Sequence, residues 1–379
     1  MAEDAAPTVT FAASDELDLI RSTARQFLSD RFDLDVVREL MMGEEGFERG
    51  LWKEIADLGW TGLTIAEDHG GAGLGFVELS VVLEEMGRLL TPGPFLASVV
   101  LATTAIHEVA TEEQKATLLP PLASGESIAT LALFESPRGW DLSRLECVAS
   151  RDGDSWVIDG AKRNILDGHL ADQLLVAART NGGMGLFVVE RSAPGVSVAQ
   201  IPVLDPTRRQ ASASFDSVRV DDTALLGGAA SDHAIGRTLA LGTIALALEQ
   251  VGGAQRCLEM SVDHAKTRYQ FGRAIGSYQA VKHRCAEMLL RVEHAKSTAY
   301  HAARITDDPD ELAIAAPLAG SVCSDAYSWA AGETIQIHGG IGFTWEHDAH
   351  LYLKRARSSS LLLGDARHHH AALGDVLGL

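Results

Sequence analysis

The chain has 379 residues, of which 46% are hydrophobic and 22% charged, and its formal net charge at pH 7 is −20. This length and apolar content suffice for a large core and for two or three domains, and they exclude a disordered chain. A strongly acidic protein gains no attraction to phosphate groups, which argues against nucleic acid as the main partner and against an anionic membrane surface.

Cysteine and histidine usage predicts no metal site. The four cysteines (Cys147, Cys257, Cys285 and Cys323) form no CxxC pair, so neither a zinc site nor a dithiol pair is expected. The run at 368–370 is three consecutive histidines, but successive residues of a helix point about 100° apart and do not converge on one ion. Sparse, scattered cysteines also fit a reducing cytoplasm.

The sequence shows no targeting signal. Its N-terminus lacks a basic segment followed by an apolar run, so no secretory signal is expected. No stretch approaches the roughly 20 consecutive apolar residues that a membrane span needs. We therefore expect a cytoplasmic protein without a membrane span.

Residues 1–124 are predicted to form an all-helical N-terminal domain. Ser14 and Asp15 are plausible N-caps of a first helix that reaches Phe27. Further helices are predicted at about 50–58, 75–90 and 112–122. Thr111 and Gln114, in the sequence TEEQ, form a capping-box pattern at the start of the last one.

The pattern then changes twice. Residues 125–229 contain short β-rich runs separated by Gly, Asp or Asn, which is typical of an antiparallel sandwich or barrel. Residues 230–379 return to helical periodicity, with long segments at 239–269, 279–304 and 312–338, and are predicted to form a C-terminal helical bundle. Glycine costs about 1 kcal/mol inside a helix, so the pair Gly252–Gly253 indicates close approach by another helix or by a ligand.

Two segments carry candidate ligand-binding residues. In TRYQFGRAIGSYQ (267–279), an arginine ends one helix and a glutamine opens the next. Arginine offers parallel donors to a pyrophosphate, and helix N-termini favour anions. In QIHGGIG (336–342), the glycines allow the backbone to approach a flat or phosphorylated ligand. Taken singly, the first segment is more often a surface arginine beside an ordinary turn, and the second is a weak signal that also fits a helix C-cap and loop.

Together with three other segments, these motifs resemble the acyl-CoA dehydrogenase family. The other segments are LWKEIADLGWTGLTIAEDHGGAGLGFVELSVVLEEMGRLL (51–90), EEQKATLLPPLASGE (112–126), and FDSVRV (215–220) followed by LLGG. The resemblance extends over nearly the whole chain in the same order. It implies a mainly α fold with a central β domain and a C-terminal four-helix bundle, FAD as cofactor and an acyl-CoA substrate. It also implies an electron-transferring flavoprotein as acceptor, and a dimer or tetramer of similar chains.

The resemblance also implies which residues contact FAD. In this family they reach the adenine and pyrophosphate of a flavin that is held largely by the neighbouring subunit. In this sequence they are Arg268, Phe271, Gln279, Gln336, Ile337, His338, Gly339 and Gly340. Trp345, Glu346, His347 and His350 resemble a pattern of many bacterial members and are expected at a subunit interface.

The part of the sequence that should surround the flavin ring departs from the family. Where the family has T-E-P-x-A-G-S-D, this chain reads FESPRGWD (134–141) and keeps Glu135. Where the family has G-x-K-x-W-I-[ST]-x-G, it reads GAKRNILDG (160–168). Asn164 therefore replaces the tryptophan that lies against the ring, and Leu166 replaces the hydroxyl that bonds flavin N5. A leucine can pack there but cannot donate a hydrogen bond.

The catalytic base is absent from both positions that the family uses. Members oxidise a saturated acyl-CoA thioester: a carboxylate removes the α-proton while the β-hydride moves to the flavin. Leu363 occupies the usual position of that glutamate, and Gly242 the position used by some members. Asp365, two residues beyond the first, and Glu249, two helical turns beyond the second, remain candidates. Each has a structural alternative, as a helix N-cap for Asp365 and as a buried, hydrogen-bonded carboxylate for Glu249.

These features favour one chain of a heteromeric, FAD-dependent acyl-CoA dehydrogenase that desaturates an acyl-CoA thioester. In such pairs, which handle bulky thioesters including those from sterol side chains, one chain supplies the base and the other completes FAD binding across the interface. Two alternatives stay open. One is a homo-oligomeric enzyme that uses Asp365 or Glu249 as its base, and the other is a non-catalytic acyl-CoA-binding or scaffold subunit.

Overall fold

The computed structural model describes residues 15–136, 142, 145–228 and 232–379. The α-helices in this part of the chain are α1 (Asp15–Arg31), α2 (Leu34–Met42), α3 (Arg49–Asp57), α4 (Phe76–Arg88), α5 (Thr103–Val109), α6 (Glu112–Ala123), α7 (Asp232–Thr267), α8 (Gln279–Arg304), α9 (Pro309–His338), α10 (Ala349–Ser359) and α11 (Ala366–Leu377). The strands are β1 (Ala129–Ala132), β2 (Val148–Asp152), β3 (Ser155–Leu166), β4 (Gln173–Thr180), β5 (Gly183–Glu190), β6 (Val196–Ile201), β7 (Gln210–Asp221), β8 (Tyr269–Gln270) and β9 (Arg273–Ala274). The order of helical, β and helical parts confirms the predicted fold class.

Most helices that were predicted for residues 1–124 begin and end within two residues of their expected bounds. Helix α6 begins with the predicted capping box: the Thr111 hydroxyl accepts from the Gln114 amide at 3.3 Å, and Gln114 Oε1 accepts from the Thr111 amide at 3.0 Å. The sequence did not reveal α2, α5 or the π-helical segment Phe95–Ala102 that precedes α5. That segment is buried throughout, and an apolar run without polar alternation carries no helical period. Ser14 lies outside the described residues.

The middle strands β1 to β7 form one sheet with the order β1-β4-β2-β3-β7-β6, and β5 pairs with β4. The sheet is mixed rather than wholly antiparallel, because β1 runs parallel to β4. Strand β1 is buried along its whole length, as is typical of parallel strands covered on both faces. Such a short apolar run has no alternation from which its direction could be read.

Helix α7 is the centre of the C-terminal bundle and packs against α4, α8 and α9. Its glycines permit these contacts. A Cβ on Gly252 would lie 1.8 Å from the Glu84 carbonyl oxygen of α4, and one on Gly253 would lie 2.4 Å from the Tyr327 ring of α9. The predicted close approach at these glycines is therefore confirmed, and the approaching elements are helices.

Within the described residues, the segment His233–Thr267 of α7 is long and apolar enough to cross a membrane on length and composition alone. Of its most apolar window, however, 78% is buried inside the protein. A helix that contacts neighbours on several sides is apolar all round, so a buried core helix passes the same test.

Candidate functional site

A cavity of about 270 Å³ lies between the sheet and the C-terminal helices. Its mostly apolar walls come from the end of β1, from β3, from the loop after β6 and from the segment after α10. Asn164 and Leu166, the two positions that depart from the flavin-ring motif, both line it, and so does Leu363. The cavity therefore occupies the place where the resemblance implies the reaction site.

The two positions at which the family carries its base lie side by side in the structure. A Cβ on Gly242 would lie 3.2 Å from Leu363 Cδ1 and 2.5 Å from Leu101 Cδ2. Side chains at these two positions would therefore occupy the same region, one from α7 and the other from the loop after α10. Both are apolar here, and no Asp or Glu is among the described residues that line the cavity.

Asp365 is the N-cap of α11. Its Oδ1 accepts a hydrogen bond from the His368 amide at 2.9 Å, and this bond holds the pKa of Asp365 below its ordinary value. The predicted cap is confirmed, and Asp365 does not line the cavity. Its use as a base stays a prediction, and its observed contact favours the structural role.

Replacing Asp365 by asparagine should leave the turnover of the assembled enzyme unchanged, because asparagine caps a helix as well as aspartate does. Replacing it by alanine should lower the urea concentration at the midpoint of unfolding, because the N-cap hydrogen bond is lost. Urea unfolding and thioester-dependent flavin reduction, measured on both variants, test this. Lost turnover with unchanged stability in Asp365→Asn would identify Asp365 as the base instead.

Glu249 belongs to a buried cluster of charges that joins the three parts of the chain. Its Oε1 accepts from Arg208 Nη2, in the loop after β6, and from Arg355 Nη1 of α10. Arg355 also donates to Asp205 Oδ2 at 2.6 Å and to the Leu90 carbonyl oxygen at 3.2 Å. Glu249 therefore faces two arginines rather than the cavity, which favours its structural alternative over a role as base.

Asp167 extends this cluster to the residue next to Leu166 on the cavity wall. It is buried and adopts a positive φ of 49°. Burial raises the pKa of its carboxyl to about 7, although Arg208 and Arg355 act in the opposite direction. The carboxyl is therefore close to its titration midpoint at neutral pH.

Replacing Asp167 by asparagine should stabilise the protein by roughly 2–4 kcal/mol at pH 8. The native carboxyl keeps its proton up to about pH 7, whereas the unfolded carboxyl loses it near its ordinary value of 3.8. Stability from this group is thus complete below pH 4 and is lost as the pH rises through 7, and an amide avoids that loss. Urea unfolding at pH 5 and pH 8 should show a gain that grows with pH. Asp154→Asn, in an exposed turn, is the control, and a gain independent of pH would contradict the assignment.

The first segment implied to contact FAD forms an exposed hairpin. Strands β8 and β9 are joined by Phe271 and Gly272, both at positive φ (52° and 80°), as in type I′ turns. Phe271 is 92% exposed. A phenylalanine in the left-handed region is uncommon and costs free energy, and at this exposed tip no packing within the described residues offsets that cost.

The second segment lies beside this hairpin. The imidazole of His264, one helical turn before Arg268, stacks on His338 with ring centroids 4.2 Å apart. His338 is the last residue of α9, and Gly339 follows it as the C-cap with a positive φ of 66°. The structure thus brings 336–340 next to Arg268, at one end of the bundle.

Comparison with known proteins agrees with this arrangement. The models for the N-terminal, middle and C-terminal domains of acyl-CoA dehydrogenase match residues 14–126, 130–218 and 233–376. The chain belongs to the acyl-CoA dehydrogenase family. It is therefore assigned to the oxidoreductases that act on CH–CH bonds, and FAD is the cofactor that the family implies.

Relatives and solved structures match the acyl-CoA dehydrogenase chain over almost its full length. Acyl-CoA dehydrogenase IpdE2 of Mycobacterium tuberculosis is 34% identical over 357 residues, which are 93% of this chain and 94% of the relative. A variant of the Tcur3481-Tcur3483 steroid ACAD has a TM-score of 0.86 at 32% identity, covering 96% of this chain and 98% of that one. The ChsE4-ChsE5 complex from Mycobacterium tuberculosis has a TM-score of 0.89 at 28% identity, covering 97% and 98%.

The residues at the end of the bundle have the properties that the adenine-pyrophosphate half of FAD would need. Helix α8 begins at Gln279, and no side chain of the described residues caps its N-terminus, so its first amides are available to an anion. Arg268 is exposed in the same region. Cβ atoms added to Gly339 and Gly340 would meet no atom of the part of the chain that the structure describes within 4 Å, which leaves room for a ligand against the backbone.

The cavity of this acyl-CoA dehydrogenase chain, in contrast, lacks two side chains that the family motif places against the flavin ring. Asn164 adopts a φ of 54° where β3 has an irregular register between Lys162 and Ile165, a conformation that asparagine tolerates well. Leu166 is buried, and its carbonyl oxygen accepts from the Thr130 hydroxyl at 2.6 Å. Neither side chain supplies the aromatic face or the hydroxyl donor of the family motif.

One part of the ring motif is retained for a structural reason. Glu135 Oε1 accepts from Lys162 Nζ at 2.6 Å and from the Cys147 amide at 3.0 Å. Lys162 is fully buried, and burial lowers its pKa from the ordinary value. The pair fastens the loop after β1 to β3 beside the cavity. The next residues of the motif, 137–141, lie outside the described residues.

Sequence reasoning missed several cavity residues, among them Leu101, Leu239 and Arg357. The two leucines belong to apolar helical runs in which nothing distinguishes a cavity wall from ordinary core. Arg357 had a weak signal, because residues two apart on a helix point in nearly opposite directions. One of Arg355 and Arg357 could therefore be buried while the other faced outward, as the structure shows.

Proposed function

We propose that this chain is one subunit of a heteromeric, FAD-dependent acyl-CoA dehydrogenase that catalyses α,β-desaturation of an acyl-CoA thioester. In this proposal the chain completes the flavin site of a homologous partner, and the partner supplies the base. The observation that carries the proposal is the pair Gly242 and Leu363, adjacent in space and both without a carboxylate.

The surface around the residues that the resemblance implies to contact FAD supports a partner. Phe271, Phe343 and Trp345 are 92%, 75% and 64% exposed. Exposed clusters of large apolar side chains are typical of interaction sites. Among the similar structures, one is named as a complex of two chains, ChsE4 and ChsE5, and another as a steroid ACAD. By analogy we propose a partner that is a second family member, and a bulky thioester such as one from a sterol side chain as the substrate.

The division of roles follows from the residues of this chain. Arg268 and the N-terminus of α8 would bind the pyrophosphate, and the backbone at Gly339 and Gly340 would approach the adenine. FAD, when bound, accepts the hydride that the thioester loses. We propose a tetramer with an electron-transferring flavoprotein as acceptor, as the family resemblance implies, and a cytoplasmic location, which the sparse cysteines favour.

The test is the flavin content of the purified protein, from the ratio of visible to ultraviolet absorbance. Purified alone, the chain should hold little FAD. Co-expressed with a homologue that keeps a glutamate at the position of Leu363 or Gly242, it should hold about one FAD for every two chains. About one FAD per chain in the protein alone would overturn the proposal in favour of a homo-oligomer. A loaded complex that no thioester reduces would instead indicate a non-catalytic subunit.

A further inference from the structure

The cavity has one charged group on its wall. Arg357 lies at the end of α10, is exposed, and forms no ion pair with any described residue. It also lines an adjoining groove of about 420 Å³, whose other charged or titratable lining residues are Lys354 and His350. No acidic residue among those described lines either space. In a chain with a net charge of −20, the entrance to this cavity is thus locally basic.

Three uncharged polar side chains also line the cavity without hydrogen bonds to described residues of the protein. The side-chain amides of Asn164 and Gln210, together with the Ser358 hydroxyl, line it, and none hydrogen-bonds a side chain or backbone group of the described residues. Polar groups of folded proteins are normally paired with protein, water or ligand. An amide can both donate and accept, so these groups can serve a carboxylate or its neighbouring polar atoms.

We propose that this cavity binds an apolar carboxylic acid, with the carboxylate at Arg357 and the apolar body against the leucine-rich walls. The inference rests on the proposed function, because it requires that the flavin ring does not occupy this chain's own cavity. A guanidinium pairs with a carboxylate through two parallel hydrogen bonds. The cavity wall itself offers one such cation, which matches one carboxylate.

The size and lining of the cavity agree with this ligand class. Its volume of about 270 Å³ is near the lower end of the roughly 300–1,000 Å³ typical of small-molecule sites. Such sites combine apolar walls with a few polar groups that fix orientation. The missing base and the missing donor to flavin N5 would make this a binding site without turnover.

The test uses calorimetric titration of the enzyme purified with its partner, with decanoate as the probe. Decanoate should bind once per copy of this chain and more tightly than 1-decanol. Arg357→Gln should weaken decanoate binding about 10- to 100-fold, the range expected for a charge-assisted hydrogen bond. Arg367→Gln, an exposed arginine that lines neither space, should leave it unchanged. Leu239→Trp, which fills the cavity from α7, should abolish it.

The inference would be overturned by unchanged decanoate affinity in Arg357→Gln or by equal affinities for decanoate and decanol. It would also be overturned if the enzyme bound decanoyl-CoA but not decanoate. Flavin content measured on the same samples separates the two proposals. About half an FAD per chain without decanoate binding would reject only the carboxylate site. One FAD per chain in the protein purified alone would reject the proposed function as well.

Discussion

Replacing Glu249 by glutamine should lower the free energy of unfolding by about 3–5 kcal/mol, the cost of removing one partner from a buried ion pair. Glu249 Oε1 accepts from both Arg208 and Arg355. Without its charge, the two buried guanidinium groups would be left with Asp205, which pairs with Arg355, and with Asp167, whose raised pKa leaves it only partly ionised at neutral pH. The loss should be large because the cluster joins the loop after β6 to α7 and α10, so no single element can move away to relieve it.

Urea unfolding of the chain and of its complex measures this loss. Glu259→Gln is the matched control in the same helix: Glu259 pairs with Arg88 at 2.7 Å, but its side chain is 32% exposed. Its loss should therefore stay near 1 kcal/mol or below, as for surface ion pairs. If Glu249→Gln kept full stability and lost only turnover, Glu249 would be the base after all.

Glu249 also illustrates what sequence can and cannot predict. Its apolar neighbours indicated a buried carboxylate, and the helical period placed it on the face of Gly242. Its partners, however, lie 41 and 106 residues away along the chain. No local sequence pattern pairs a glutamate with arginines at such separations. Only the folded chain therefore reveals that the carboxylate already accepts hydrogen bonds from both.

The cavity, too, was only partly predictable from the sequence. Family resemblance identified Leu363 and Gly242 separately, as two unrelated substitutions at two alternative base positions. Their adjacency depends on how α7 packs against the loop after α10, which is set by tertiary contacts. The fold class, in contrast, follows from period and composition, because helical and strand patterns are local. The direction of β1 is the exception, since a buried four-residue strand carries no alternation.

The second large effect concerns FAD bound by the complex. Arg268→Gln should weaken FAD binding about 10- to 100-fold, because a pyrophosphate would lose a charge-assisted hydrogen bond from a guanidinium. Fluorescence titration of the flavin-free complex with FAD measures this. Arg291→Gln is the matched control, since Arg291 is an exposed arginine of α8 that stacks on Trp329 and pairs with Glu287. Equal FAD affinity in the Arg268 variant and wild type would remove this residue from the flavin site.

The effect of Arg268→Gln also depends on which subunit holds the flavin ring. If the chain completes its partner's site, Arg268→Gln empties a flavin whose ring lies in the other subunit. Leu166→Thr, which restores a hydroxyl to this chain's own cavity, should then leave the flavin content of the complex unchanged. In a homo-oligomer both residues would serve equivalent flavins, so Leu166→Thr would alter flavin binding or reduction as well. The pair of variants therefore distinguishes a shared site from two equal ones even where total flavin content is ambiguous.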